Sequence, residues 1–183
     1  CGYRIVHFDS SDRRGIDVAF LYRTTCYNHL STSLRTPETD GKKLQTRDML
    51  HVSLKDLQTD EIYDYIVCHH PSKFGGEESS IPKRLAAMTA LKEMCDSLGN
   101  RNIIVMGDFN DVPSAAQFDM LDNILVNKSD SLHAAGRGTI RYEGKWDLID
   151  MFLVSSNIEG HSVMDIPEVS FLMTRESRHA GEK

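Results

Sequence analysis

Cysteine is scarce in this chain and poorly placed for chemistry. Cys1, Cys26, Cys68 and Cys95 are widely separated, with no CxxC pair and no histidine partner at zinc-like spacing. That speaks against a structural zinc and a dithiol redox motif and leaves scattered buried thiols as the reading. Long apolar runs are also missing, and no window approaches the roughly 18 residues of a membrane-spanning helix, so no membrane span is expected. Positive charge is not in excess. A formal net charge of -6 argues against an electrostatic coat for nucleic acid and leans away from tight duplex binding, although a metal enzyme can act on polyanions by bringing its own cation. The GxSxG elbow of acyl-transfer hydrolases is absent, and no other nucleophile context replaces it. No internal repeat, linker or low-complexity tract divides the chain, and its 183 residues suit one well-buried domain over 1–183. No obligate protein partner is evident. The chain opens on Cys1-Gly2, and Glu176 to Lys183 reads as a loop in mid-course. A fragment is therefore expected, and the compartment is left open.

The elements present alternate. Ile16 to Tyr22, Asp48 to Leu54 and Ile62 to Cys68 are rich in β-branched and aromatic residues and read as strands, the last two joined by a short polar loop over Lys55 to Glu61. A helix is predicted over Pro82 to Leu98, with Ser79 or Ser80 as cap, Pro82 in the first turn and Gly99 beyond the end. Leu85, Met88, Leu91, Cys95 and Leu98 recur at three- and four-residue spacing and give it one core-facing side. A strand over Asn102 to Met106 follows, then a second predicted helix around Ser114 to Val126 carrying Phe118, Leu121 and Leu125. Thr139 to Tyr142 and Asp147 to Ser155 read as a closing hairpin around Glu143-Gly144-Lys145, with Trp146 at its shoulder. The tail beyond Ser156 has no clear period. Strand, helix, strand, helix is an α/β signature.

Chemistry concentrates where strands meet loops. Gly107-Asp108-Phe109-Asn110-Asp111 follows the apolar Ile103 to Met106 and sets an acid and an amide just beyond a buried strand, where open α/β sheets carry their sites. Two residues apart, Asp108 and Asn110 can aim at one small volume, and a carboxylate paired with a neutral amide suits a hard cation, a phosphate oxygen and an attacking water together. The pentapeptide alone fits a polar turn equally well. Three further places share this position. Asp12-Arg13-Arg14-Gly15 enters the first predicted strand, His69-His70-Pro71-Ser72-Lys73 leaves the third, and Asp150 sits inside Leu148 to Val154. An imidazole can donate to phosphate near neutral pH, a guanidinium offers a fork for two phosphate oxygens, and an acid in an apolar strand needs a partner. Taken singly, His69 and His70 read as satisfied structural residues, and Arg14 between Asp12 and Asp17 reads as a surface ion pair as readily as a phosphate clamp.

Together, four blocks in order resemble the endonuclease/exonuclease/phosphatase superfamily, the fold of deoxyribonuclease I. They are Arg14 to Ala19, Cys68 to Lys73, Gly107 to Asp111 and Gly138 to Asp150, and their style is closest to uncharacterised bacterial members. The resemblance implies a four-layer α/β/β/α sandwich, incomplete at both ends, with two mixed sheets face to face and helices outside. It implies hydrolysis of a phosphodiester or phosphomonoester with Mg2+ or Mn2+, on a nucleic acid, a lipid phosphate or a small molecule. Carried over by position, His69 would contact the scissile phosphate, Asp108 would orient or deprotonate the attacking water, and Asn110 would hold that water or a phosphate oxygen. Asp108 and Asn110 would serve the metal, Asp150 would orient a catalytic histidine, and Arg14 and Lys73 would face substrate phosphate. The family's early metal-binding Glu and its closing Ser-Asp-His block have no counterpart here, so the chain alone is expected to be nearly inactive and, with sheet edges and apolar faces exposed, prone to associate. A non-catalytic binding module on the same fold is the alternative.

Overall fold

The computed structural model describes residues 2–142 and 144–167. Twelve strands occur among them: β1 Tyr3–His7, β2 Ala19–Arg23, β3 Tyr27–Arg35, β4 Glu38–Thr39, β5 Lys42–Lys43, β6 Met49–Asp56, β7 Ile62–His69, β8 Asn102–Asp108, β9 Leu125–Asn127, β10 Ile140–Tyr142, β11 Lys145–Asp147 and β12 Asp150–Ser155. Two α-helices join them, α1 Glu77–Leu98 and α2 Asp130–Ala134, with 3-10 segments over Ala116–Leu121 and Ser156–His161.

One six-stranded sheet, in the order β3-β6-β7-β8-β12-β9, organises the molecule. Its pairs are antiparallel except β7 with β8. A parallel pair needs a long crossover, and α1 supplies it. Side chains on β6 alternate accordingly. Met49 joins Ile66, Cys68, Met88, Leu91, Cys95, Ile103 and Val105 in a core shared with α1, whereas Leu50, Val52 and Leu54 face Phe20 and Tyr22 of the β1–β2 hairpin. Helix, large sheet and hairpin are thus successive layers of an α/β sandwich. On the helix side, fully buried Asp64 is compensated by His51 Nε2 at 2.7 Å and Arg101 Nε at 2.6 Å, as a buried carboxylate requires. Among the described residues no helix covers the outer face of β1–β2, where Tyr3, Ile5 and Leu21 are 54%, 67% and 57% exposed.

Several expectations are corrected. The first predicted strand begins only at Ala19, because Ile16 and Asp17 are held in a turn by the Oγ and backbone N–H of Ser10 at 3.0 and 2.7 Å. Helix α1 starts at Glu77, five residues before Pro82; Gly76 caps it without a side-chain bond, and Ser79 and Ser80 lie inside, donating to first-turn and preceding carbonyls. Leu85 is 41% exposed and so leaves the apolar face, while Arg84 is buried in its place. The predicted helix over Ser114 to Val126 is a 3-10 segment followed by β9, since Asn123 at φ 67 ends the helical path and Leu125 and Val126 pair with β12. The closing hairpin is β10 with β11; Leu148, fully buried, carries the chain inward, and β12 crosses into the large sheet beside β8. Strands β1 and β3 escaped notice because exposed, polar-rich edge strands show little alternation. Cys68 and Cys95 are buried thiols, burial pushing Cys95 up to about 12, and Cys26 is half-buried. Cys1, Glu143 and the tail from Glu176 to Lys183 lie outside the described residues. No helix among the described residues is long and apolar enough to cross a membrane.

Candidate active site

Main-chain geometry brings the site together. In the parallel β7–β8 ladder His69 is the register partner of Asp108, and in the antiparallel β8–β12 ladder Asp150 is the register partner of the same Asp108. Three of the six predicted site residues therefore come together where three neighbouring strands reach one edge. Gly107 permits the approach: it has φ +138, and a Cβ there would lie 1.9 Å from the Cys68 carbonyl oxygen. Only glycine fits that spot.

The loop beyond Asp108 is pinned from below by Phe109, fully buried, its ring 4.9 Å edge-on to His70 and 5.5 Å from Phe118. Asn110, at φ 51, turns the chain back and donates its backbone N–H to Asp108 Oδ1 at 2.7 Å, an Asx-type turn. Its amide Nδ2 donates to the His70 carbonyl at 2.9 Å. Asp111 is buried and anchors the loop from the other side. Arg84 of α1 donates to it, Lys73 Nζ lies 3.0 Å from Oδ1, and Gln117 donates at 3.2 Å.

Electrostatics separate the two histidines. His70 is buried and its pKa is pushed down to about 3 by burial and by the charge of Arg47, so it is a neutral structural ring. His69 is half-buried, and burial first, then Arg47 and Arg14, lower its pKa, while Asp12 and Asp150 oppose them. Its Nε2 stands 3.7 Å from Asp108 Oδ2, too far for a hydrogen bond. Asp108 has its pKa raised, chiefly by burial and further by the charge of Asp150, against the Asn110 N–H and Arg47. Both groups are thus moved toward their uncharged forms.

Asp150, Arg14 and Lys73 differ in burial and in partners. Asp150 is exposed at the first position of β12, so it pays no burial cost; its backbone N–H donates to Thr139 Oγ1 at 3.1 Å. Arg14 folds back on buried Asp12, donating from its Nε at 3.1 Å and Nη2 at 2.8 Å, and these bonds hold the Asp12 carboxyl well below the usual range. Lys73 bonds Glu77 and Asp111, which outweigh its partial burial and keep its pKa above the ordinary value. With Asn110 and Tyr142, Lys73 also lines a small recess of about 170 Å3. His7 at the end of β1 and Asp9 and Asp17 on the connection to β2 group their ligand atoms within 4.8 Å of one another, and Asp17 is already engaged by His7 and Ser10.

Arg47 is the residue the sequence reading missed. It is buried, donates from Nη1 to Asp12 Oδ2 at 2.9 Å and from Nη2 to the His70 carbonyl at 2.7 Å, and so shares that carbonyl with Asn110. Its signal was present: a cation two residues before the apolar strand β6, a strand-edge position like the one that flagged Arg14.

Comparison with solved structures gives the same architecture. The human Nocturnin catalytic domain with bound sulfate anion superposes with a TM-score of 0.66 at 15% identity, over 85% of this chain and 61% of that one. An endonuclease/exonuclease/phosphatase from Bacteroides vulgatus gives 0.61 at 16% identity over 85% and 65%, and the Bacteroides thetaiotaomicron mannosyl-6-phosphatase Bt3783 gives 0.58 at 17% over 85% and 63%. The chain therefore spans less than two thirds of the length of each of these structures. No curated protein matches it by sequence. Residues 1–170 match one family along almost the whole chain, and the protein belongs to the Endonuclease/Exonuclease/phosphatase family.

Proposed function

We propose that this site belongs to a divalent-metal-dependent phosphoester hydrolase that acts by in-line attack of water on phosphorus. The observation that carries the reading is the convergence of His69, Asp108, Asn110 and Asp150 at one sheet edge. Family membership supports phosphoester hydrolysis as the reaction class.

Asp108 is the base. Burial and the facing charge of Asp150 raise its proton affinity, which brings it nearer the range where a carboxylate can accept a proton from water at neutral pH. His69, kept neutral, donates its N–H to a phosphate oxygen as charge builds there. Asn110 spends one amide hydrogen on the His70 carbonyl and keeps its other hydrogen for a phosphate oxygen and its oxygen for the ion or the attacking water. As the new P–O bond forms, the bond to the leaving oxygen breaks, the water proton passes to Asp108, and the leaving oxygen takes a proton from solvent. Arg14 and Lys73 face substrate phosphate more distantly, through charge already shared with Asp12, Glu77 and Asp111.

The donor set suits Mg2+ or Mn2+. Asp108 and Asn110 offer the hard oxygen ligands such ions take, and water and substrate would complete a shell of about six. When bound, the ion supplies charge neutralisation at the phosphate.

The test is turnover of p-nitrophenyl phosphate and bis-p-nitrophenyl phosphate by the full-length protein with Mg2+ or Mn2+. Loss of turnover in Asp108→Asn with retained folding is expected, and an active variant sinks the assignment. Residues 1–183 alone are expected to be nearly inactive, which measurable metal-dependent turnover by that chain refutes.

A further inference from the structure

Next to the His69–Lys73 segment lies a cleft of about 860 Å3 with Pro71 and Ser72 in its wall. Its charge runs against that of the chain. The whole carries a net charge of -6, whereas this cleft is lined by Arg13, Arg14, Lys43, Arg47 and Lys83 and by one acid, Asp12. They come from the β1–β2 connection, from β5 and the segment after it, and from α1.

The five cations divide into two groups. Arg14 and Arg47 are both committed to Asp12. Arg13, Lys43 and Lys83 are exposed and, among the described residues, form no ion pair, although Glu38 is the register partner of Lys43. Cations gathered around one concavity repel one another and raise its potential, an arrangement that favours an anion inside it. Phe74, 94% exposed, stands on the same wall, an aromatic ring in water beside the free cations.

The cleft adjoins the site through Pro71 and Ser72, which follow His69 and His70 in the chain, and through Arg14 and Arg47 in its wall. Arg47 reaches the His70 carbonyl that Asn110 also uses, and the charges of Arg47 and Arg14 are felt at His69. One phosphate at His69 and Asp108 leaves Arg13, Lys43 and Lys83 without a partner. We propose that the cleft is a second-phosphate subsite: the substrate carries, besides the phosphate under attack, at least one more phosphate group that docks among Arg13, Lys43 and Lys83, and Phe74 stacks on a ring attached to it. This rests on the phosphoester reading above and names the substrate class, an organic phosphate with two or more phosphate groups, whether a single nucleic-acid strand or a phosphorylated small molecule.

Calorimetric titration of the chain tests it with three probes: inorganic phosphate, single-stranded hexathymidylate and fructose 1,6-bisphosphate. The variants are Arg13→Ala/Lys83→Ala and Phe74→Ala, each checked for an unchanged melting curve. The double substitution is expected to weaken at least one of the two polyphosphorylated probes about tenfold or more and to make its salt dependence shallower, with inorganic phosphate unaffected. Further weakening of hexathymidylate alone by Phe74→Ala identifies a nucleotide strand; preference for the bisphosphate with no Phe74 effect identifies the small-molecule source and removes the stacking role. Equal binding of both polyphosphorylated probes by the wild type and the double variant overturns the subsite. Because these readouts are affinities, they fail independently of turnover: absence of turnover in the phosphoesterase assay described above, together with a discriminating cleft, overturns the hydrolase reading alone, and turnover there with an indifferent cleft overturns the subsite alone.

Discussion

Asp150 stands directly across the β8–β12 ladder from Asp108, carboxylate to carboxylate at the edge of the sheet. Like charges in register cost energy, and here the cost falls on the half-buried member, whose proton affinity rises. Asp108→Asn should therefore lower phosphoester turnover at least about 100-fold while leaving the melting temperature unchanged or slightly higher. Asp150→Asn should instead move the acidic limb of the pH–rate profile to lower pH, since Asp108 loses the neighbour that raises its pKa. A profile unchanged by that substitution would show that the two carboxylates do not communicate.

Gly107→Ala should be among the most damaging single-methyl additions available. The new Cβ would meet the Cys68 carbonyl, and the positive φ disfavours any side chain. A loss of about 3 kcal/mol or more in urea unfolding is expected, and a loss below about 1 kcal/mol would mean that the ladder can open without cost.

Removing Asp111 should unfold the chain from the inside. Arg84 would be left buried with only the distant, exposed Glu77 carboxylate at 3.9 Å, at a cost of about 3 kcal/mol. Arg84→Met combined with Asp111→Leu should recover most of that loss, as seen in a double-mutant cycle by thermal denaturation. Failure of the pair to recover would assign the role of Asp111 to Lys73 and Gln117 instead.

Stability should fall as the solution is acidified from pH 6.5 to pH 5. His70 binds its proton in the unfolded chain near the ordinary histidine value, but in the folded chain only near 3. The unfolded state therefore takes up more protons in that window, and folding weakens by about 1.4 kcal/mol per pH unit at the steepest. His69, also lowered, adds in the same direction. Above the unfolded value the contribution is fully present. Asp12, held low by Arg14, extends the decline only at more acidic pH. A His70→Phe variant should flatten the slope; an identical slope would remove His70 as its source.

The outer face of β1–β2 should make the isolated chain associate. Tyr3, Ile5 and Leu21 offer apolar surface to water, and light scattering should report species larger than a monomer. A monodisperse monomer at high concentration would contradict this.

The α/β class, the β6–β7 pair and the place of Asp108 at a strand end were legible because buried apolar runs and their polar terminators are local signals. The partnership of His69, Asp108 and Asp150 was not, since it depends on the registers of β7 with β8 and β8 with β12, which no spacing along the chain records. Pro82 misled in one direction, suggesting a start where the helix tolerates it inside, and Asp150 in another, suggesting burial where the strand has only begun. Arg47 lay in a polar stretch whose importance appears only once the His70 carbonyl is brought to it.

The missing side chain at Gly107 fixes how closely two strands of this molecule approach each other. The distance between β7 and β8 at this edge is set by one backbone touching another, so the spacing of His69 from Asp108 rests on main-chain contact. Alignment of His69 with Asp108 is thereby a property of the ladder itself, and a substitution in the loops beyond the strands leaves that spacing in place.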